Sequence, residues 1–290
     1  MWEWIKRISR VLVAPLEFVT RYFKALLFLV IVVWIFGANE GSSAINETNL
    51  AEISLKGAIL NPDSFLEELE RIESLPRLAG VLLVVDSPGG AIAPSVEISE
   101  EIKRLSAKVP VVVYAQGVMA SGGYYAGIWS KRIIANKGSL IGSIGVIFNG
   151  ADVSELASKI GIKTQTIKAG KYKEAGTFMR PWNEDEEGEI KRLVRKQYEM
   201  FVLDVAEARG LDQEVSPLYA EGRVFSATEA LELGLIDQIG IKSDAKRALE
   251  ELSGVKEPLW LQKEPWEKYM ERWMSQATLQ LSTLLASRIY

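Results

Sequence analysis

The chain has 290 residues, 48% hydrophobic and 25% charged, with a net charge of −4. That length supports one large domain or two small ones with a sizeable core, and the balance lacks the cationic excess that a nucleic-acid partner demands. Histidine and cysteine are both absent, which excludes the Ser-His-Asp triad, thiol nucleophiles, disulfides and zinc sites built on imidazole or thiolate, and leaves nucleophilic chemistry to Ser, Thr, Lys, Tyr or a carboxylate.

The first predicted element is a membrane anchor. Residues Ala25 to Asn39 (ALLFLVIVVWIFGAN) carry no charge, and extending the run back to Phe18, with Arg21 and Lys24 snorkelling, gives the roughly 20 residues that a span needs. Lys6, Arg7, Arg10, Arg21 and Lys24 precede it, whereas Glu40, Glu47 and Glu52 follow before the first basic residue, Lys56. The positive-inside rule then leaves the N-terminus in the cytoplasm and sends the rest outside. Gly37-Ala38 offers a small-residue cleavage site, but the basic region is long for a cleaved leader. Residues 1–24 read as a basic segment, with an amphipathic stretch from Trp2 to Tyr22 suited to the membrane surface. Residues 40–50 read as a polar linker.

From there strands and helices alternate. Ala51–Gly57 reads as a strand and Asp63–Ser74 as a helix. Gly80–Val85 (GVLLVV) is a strand buried on both faces, and Pro94–Leu105 is a helix with Pro94 in its first turn and acidic residues early. Val109–Tyr114 is another buried strand, and a helix begins near Ser121. Strands are predicted at Arg132–Ala135, Gly145–Phe148 and Lys163–Lys168, with a short helix over Val153–Ile160. Ala169–Trp182 is a long loop of the kind that often carries function. Helices follow over Glu184–Arg209, Ser226–Leu233 and Lys242–Leu252, and an amphipathic helix rich in Trp covers Pro265–Tyr290. The alternation predicts an α/β domain over residues 51–255 with mostly parallel strands, followed by a C-terminal segment over 256–290.

Two segments follow buried strands, where α/β sheets bind ligands. In Asp86-Ser87-Pro88-Gly89-Gly90 the glycines let main-chain N–H groups approach a developing oxyanion. In Ala120-Ser121-Gly122-Gly123-Tyr124-Tyr125 small neighbours leave the serine hydroxyl accessible at the positive end of a helix. Taken singly, the first reads as a glycine turn and Ser121 as a helix N-cap. Without histidine, a serine nucleophile needs a lysine base. An ordinary lysine is neutral in only about 0.04% of molecules at pH 7, so its pKa must fall by about three units, near 4 kcal/mol, in an apolar or hydroxyl-lined pocket. Lys168, Lys171 and Lys173 are the candidates, and the residues alone leave the choice among them open.

SPGG at Ser87–Gly90, ASGGYY at Ala120–Tyr125, LIGSIGVI at Leu140–Ile147 and KAGKYKEAG at Lys168–Gly176 occur in that order. Together they resemble the signal peptide peptidase SppA (protease IV) family of Ser–Lys peptidases over about residues 53–254. The resemblance implies Ser121 as nucleophile, Lys173 as general base, Ser143 as the hydroxyl that contacts the lysine, and the Gly90 and Gly122 main-chain N–H groups as oxyanion hole. It implies neither cofactor nor metal. The implied fold is a ClpP/crotonase-like α/β superhelix of βαβ units behind one transmembrane helix in a bacterial-type inner membrane, with the catalytic domain on the extracytoplasmic side. The implied assembly is a homo-oligomeric ring in which the serine of one subunit meets the lysine of its neighbour, and the implied substrates are cleaved signal peptides and other small or unfolded segments. Met119 departs from the small residue usual there and is expected to narrow the pocket beside Ser121. Two rival readings are a crotonase-like acyl-CoA enzyme, which the anchor disfavours, and a catalytically inactive membrane scaffold, which has no chemical reason to keep Ser121, Ser143 and Lys173.

Overall fold

The computed structural model describes residues 21–25, 27–28 and 47–261. Nearly all of the predicted anchor, both amphipathic stretches and most of the linker therefore lie outside the described residues. No helix among the described residues is long and apolar enough to cross a membrane. The chain divides into two compact units. One takes Met1–Thr48 with Leu75–Arg77, and its residues 21–25 and 27–28 are helical. The other takes Asn49–Ser74 with Leu78–Tyr290 and holds all the strands among the described residues.

In this second unit β1 (Leu50–Ile59), α1 (Asp63–Glu73), β2 (Gly80–Gly90), α2 (Ile92–Ser106) and β3 (Val111–Ala120) follow one another as sequence alternation predicts. The short α3 (Gly122–Tyr125), β4 (Arg132–Ala135), β5 (Leu140–Gly142) and α4 (Ser154–Lys159) come next. The long α5 (Glu184–Arg209), a 3-10 turn at Gln213–Val215, α6 (Ser216–Tyr219), β6 (Val224–Ser226), α7 (Ala227–Glu232), β7 (Gln238–Ile239) and α8 (Lys242–Ser253) complete the order. The sheet runs β1-β2-β3-β4-β7, parallel throughout, and β5 adds to β3 in parallel while pairing antiparallel with β6.

The central strands are apolar at successive positions because both faces are covered. Leu82, Val84, Val112 and Tyr114 pack against Ala245, Ala248 and Leu249 of α8. Val81, Leu83 and Val85 point to the opposite face by alternation, and α2 contacts β2 and β3. The position of the site follows from β3, which changes partner along its length. Val112–Ala115 pair with β4, whereas Val118–Ala120 pair with β5. The sheet forks there, and Ser121 is the next residue.

Several elements differ from expectation. β2 and β3 run on through Gly90 and Ala120, past the apolar runs that announce them. α2 begins at Ile92, so Pro94 is its third residue and its first turn holds no acidic side chain. Gly145–Phe148 is not a strand; the strand is Leu140–Gly142, and it stops where Gly142 and Ser143 both take positive φ, 101° and 50°. Lys163–Lys168 forms no strand either, and all six residues are exposed. Thr164, Thr166 and Ile167 are β-branched and suit a strand, but no strand among the described residues pairs with the segment, and a ladder needs a partner.

Candidate active site

The register of the sheet gathers the motifs. Ala120 of β3 is the Cα partner of Gly142 of β5, so the residues that follow, Ser121 and Ser143, emerge side by side at the carboxyl edge. Ser121 N–H donates to Gly142 O at 2.7 Å, and Ser143 N–H donates to Arg223 O at 2.7 Å. Both serines are held at positive φ, 51° and 50°, conformations that L-residues avoid and that concentrate at functional sites. Both line one open trough.

The glycines beside Ser121 are dictated by crowding. A side-chain carbon on Gly89 would stand 2.6 Å from the Gly122 nitrogen, and one on Gly122 would stand 2.1 Å from Ser95 Oγ. Ala91 N–H donates to Ile59 O at 2.7 Å, and successive N–H groups of a strand point to opposite sides. The Gly90 N–H therefore faces away from β1. Its nitrogen lies 3.4 Å from where a Gly122 side chain would begin, so the Gly90 and Gly122 backbones border one small space beside Ser121. Ser87, fully buried, braces this turn: its hydroxyl donates to Gly57 O at 2.6 Å and accepts from Gly89 N–H at 3.1 Å.

A small cleft opens from Ser121, Gly90 and Gly122, and its apolar walls include Ile92, Val96, Tyr125, Val146, Met200 and Phe201. The Tyr125 ring meets Phe201 edge-on at 4.8 Å, and its hydroxyl donates to Asp204. Burial, and then that bond, push the phenol well above its ordinary pKa, so it stays protonated. Met119 does not line this cleft. It is fully buried, on a strand position where its terminal methyl approaches Gly127. Sequence reasoning missed Gln197, Met200 and Phe201. They lie more than 70 positions beyond Ser121 on α5, where Met200 and Phe201 look like any apolar helix stripe and Gln197 like any polar helix residue.

The three candidate lysines separate clearly. Lys168 pairs with Glu174 at 3.2 Å and Glu186 at 3.5 Å, and Lys171 pairs with Asp185 at 2.8 Å. The Asp185 hydrogen bond holds the Lys171 ammonium above its ordinary pKa. A base must release its proton, and a carboxylate partner opposes that. Lys173 has no ion pair or side-chain hydrogen bond among the described residues. It is exposed and lines neither cleft that Ser121 lines. A single chain thus brings together Ser121, Ser143, Gly90 and Gly122, and leaves Lys173 outside that group. Among the described residues no cluster of three or more acidic side chains is placed to hold a metal ion.

Glu186, only 1% exposed, anchors the loop that carries these lysines. Hydrogen bonds from Arg180 hold its carboxyl down at about 2, against an ordinary value of 4.5. A lowered carboxyl stabilises the fold fully above the unfolded value and loses that contribution as pH falls through the folded one. The difference in unfolding temperature between wild type and Glu186→Gln is therefore expected to be constant above about pH 5 and to shrink steadily toward pH 2. Thermal unfolding followed across that range measures it.

The profile of peptidase family S49 matches residues 103–256, more than half of the chain. The chain belongs to this family. A Methanocaldococcus jannaschii protein named "Putative protease MJ0651" is 38% identical over 195 residues, covering 67% of this chain and 62% of that protein. The chloroplastic serine protease SPPA of Arabidopsis thaliana is 31% identical over 189 residues, covering 65% of this chain and 28% of that protein. The match therefore spans less than two thirds of the length of either relative. The solved membrane-bound stomatin-specific protease 1510-N superposes with a TM-score of 0.50 at 16% identity, over 75% of this chain and 99% of that one. That likeness is one of fold. The resemblance to SppA peptidases read from four short motifs agrees with the family match and with the SPPA name of a relative.

Proposed function

We propose that the chain is a serine endopeptidase with a Ser121–Lys173 dyad completed between subunits of a homo-oligomer. One observation carries the reading: Ser121, Ser143 and the Gly90 and Gly122 amides converge at one sheet edge, while the unpaired lysine stands outside that group. A lysine left exposed in one chain acquires the desolvation a base requires when a neighbouring subunit covers it. The ClpP/crotonase-like superhelix expected for the family is compatible with a ring built this way.

In the mechanism, neutral Lys173 Nζ takes the Ser121 proton as Oγ attacks the scissile carbonyl carbon. The carbonyl oxygen becomes the oxyanion and accepts from the Gly90 and Gly122 N–H groups. The Lys173 ammonium gives its proton to the departing amine, leaving an ester on Ser121. Water then attacks that ester, losing a proton to Lys173, and the proton returns to Ser121 as the acid product leaves. The Ser143 hydroxyl orients the Lys173 amine. The apolar cleft beside Ser121 favours small or apolar side chains, which suits cleaved signal peptides and other unfolded segments. Anchoring through residues 25–39 would hold the domain on the extracytoplasmic side of a bacterial-type inner membrane, where such peptides remain.

Co-expression tests the shared dyad. Ser121→Ala and Lys173→Ala proteins, each alone, are expected to lose hydrolysis of a short apolar peptide ester by about 10³-fold or more. Co-expressed in equal amounts, they are expected to recover a measurable share. Full activity in Lys173→Ala would refute the base assignment, and a silent co-expressed pair would refute the sharing.

A further inference from the structure

The loop before α5 is held by more charge than a helix cap needs. Asn183 and Glu186 form a capping box, with Asn183 Oδ1 accepting from Glu186 N–H at 2.9 Å and Glu186 accepting from Asn183 N–H at 3.2 Å. The same motif caps α7, where exposed Glu229 serves Ser226 with no arginine or lysine bonded to it. Glu186, in contrast, is buried in the otherwise open first turns of α5. It accepts both terminal nitrogens of Arg180, at 2.7 and 2.8 Å. Arg180 Nη2 also donates to Glu174 at 2.8 Å. Glu174 accepts further from Thr166 at 3.1 Å and Lys168 at 3.2 Å. Glu174 is the immediate neighbour of Lys173, in a stretch with turns but no helix or strand.

We infer that Glu186 is a positioning residue that, through Arg180 and Glu174, fixes the Lys173 backbone where its amine can serve Ser121. The inference rests on the proposed Ser–Lys chemistry. The ion pairs occupy Lys168 and leave Lys173 free, so the same network sets which lysine is presented and where. A loop without regular structure has no other long ladder of hydrogen bonds to hold it. A displacement near 1 Å in a proton-transfer group costs about 10²-fold in rate.

Glu186→Gln keeps a side chain suited to the cap and removes the charge that grips Arg180. It is expected to lower kcat by about 10²-fold with KM changed less than about twofold. The acid limb of the kcat/KM profile is expected to move to higher pH, as a loosened lysine returns toward its solvated behaviour. Placement separates positioning from general structure. In co-expressed Ser121→Ala and Lys173→Ala chains, Glu186→Gln in the Ser121→Ala chain, which donates the lysine, should remove about nine-tenths or more of the recovered activity. The same substitution in the Lys173→Ala chain should leave that activity. Equal loss from both placements, or none from either, overturns the inference. If the parent pair is silent, sharing has failed, and the uniform variant decides: reduced kcat with an unmoved acid limb overturns the inference. Should Glu186→Gln fail to fold, Glu174→Gln, further along the same network, is expected to give the same one-sided loss.

Discussion

Ser121→Gly is expected to abolish hydrolysis and to raise the unfolding temperature. Ser121 is held at φ 51° and ψ −127°, a conformation that costs a residue with a Cβ about 1–3 kcal/mol. The conformation persists because the Ser121 N–H is bonded to Gly142 O and its carbonyl accepts from Tyr124 and Tyr125 N–H at 3.0 and 2.9 Å. Glycine removes the steric cost and adds about 1 kcal/mol of unfolded-state entropy, so a net gain of up to about 2 kcal/mol remains, or a few degrees for a domain of this size. Ser121→Ala removes the same hydroxyl but keeps the Cβ, and is expected to be as inactive without the gain. Differential scanning calorimetry beside ester hydrolysis reads both effects. A Ser121→Gly protein that melts below Ser121→Ala would show that the serine conformation stores no strain.

Gly90→Ala is expected to lose both activity and stability. The added carbon would stand 2.1 Å from Ile59 O and 2.6 Å from Ile59 C, and both are backbone atoms of the paired strand. Relief requires β1 and β2 to part, at the expense of the Ala91 N–H to Ile59 O bond, and it turns the Gly90 N–H away from Ser121. With the Gly90 amide as one of the two proposed oxyanion donors, its loss costs about 10²–10³ in kcat, and overpacking at a rigid site costs about 1–3 kcal/mol. Gly188→Ala is the control. It lies in α5 with nothing within 4 Å of the added carbon, and is expected to raise stability by up to about 1 kcal/mol at unchanged kcat. Near-normal kcat in Gly90→Ala would exclude its amide from the reaction.

The parts of the fold legible in the sequence are those whose signal is local. GVLLVV announces β2 because burial on both faces leaves no polar position, and Gly210 ends α5 because its φ of 65° suits glycine. What stayed hidden depends on partners. The three residues of β6 acquire strand form by pairing with β5, whereas Lys163–Lys168 has β-branched residues without the neighbour. The site divides the same way. Glycine motifs mark the turns at Gly89–Gly90 and Ser121–Gly122, since only glycine tolerates the contacts there. No local pattern assigns Met200 and Phe201 to the cleft, because α5 reaches it through tertiary packing. The residues alone leave Lys168, Lys171 and Lys173 open, and it is the motif resemblance that names Lys173; the ion pairs of the other two, with carboxylates at 174, 185 and 186, are visible only in three dimensions.

The bond from Ser143 N–H to Arg223 O bears on where the chain can be cut. All four motifs end by Gly176, yet Ser143 is moored by a residue 80 positions further on, and β5 has its outer neighbour only in Val224–Ser226. A fragment that stops before Arg223 would carry every recognisable motif and still lack the strand that flanks β5 and the carbonyl that accepts from Ser143 N–H. Searching for the motifs alone would score such a fragment as a complete enzyme. A piece that keeps both partners of β5 must extend at least through Ser226.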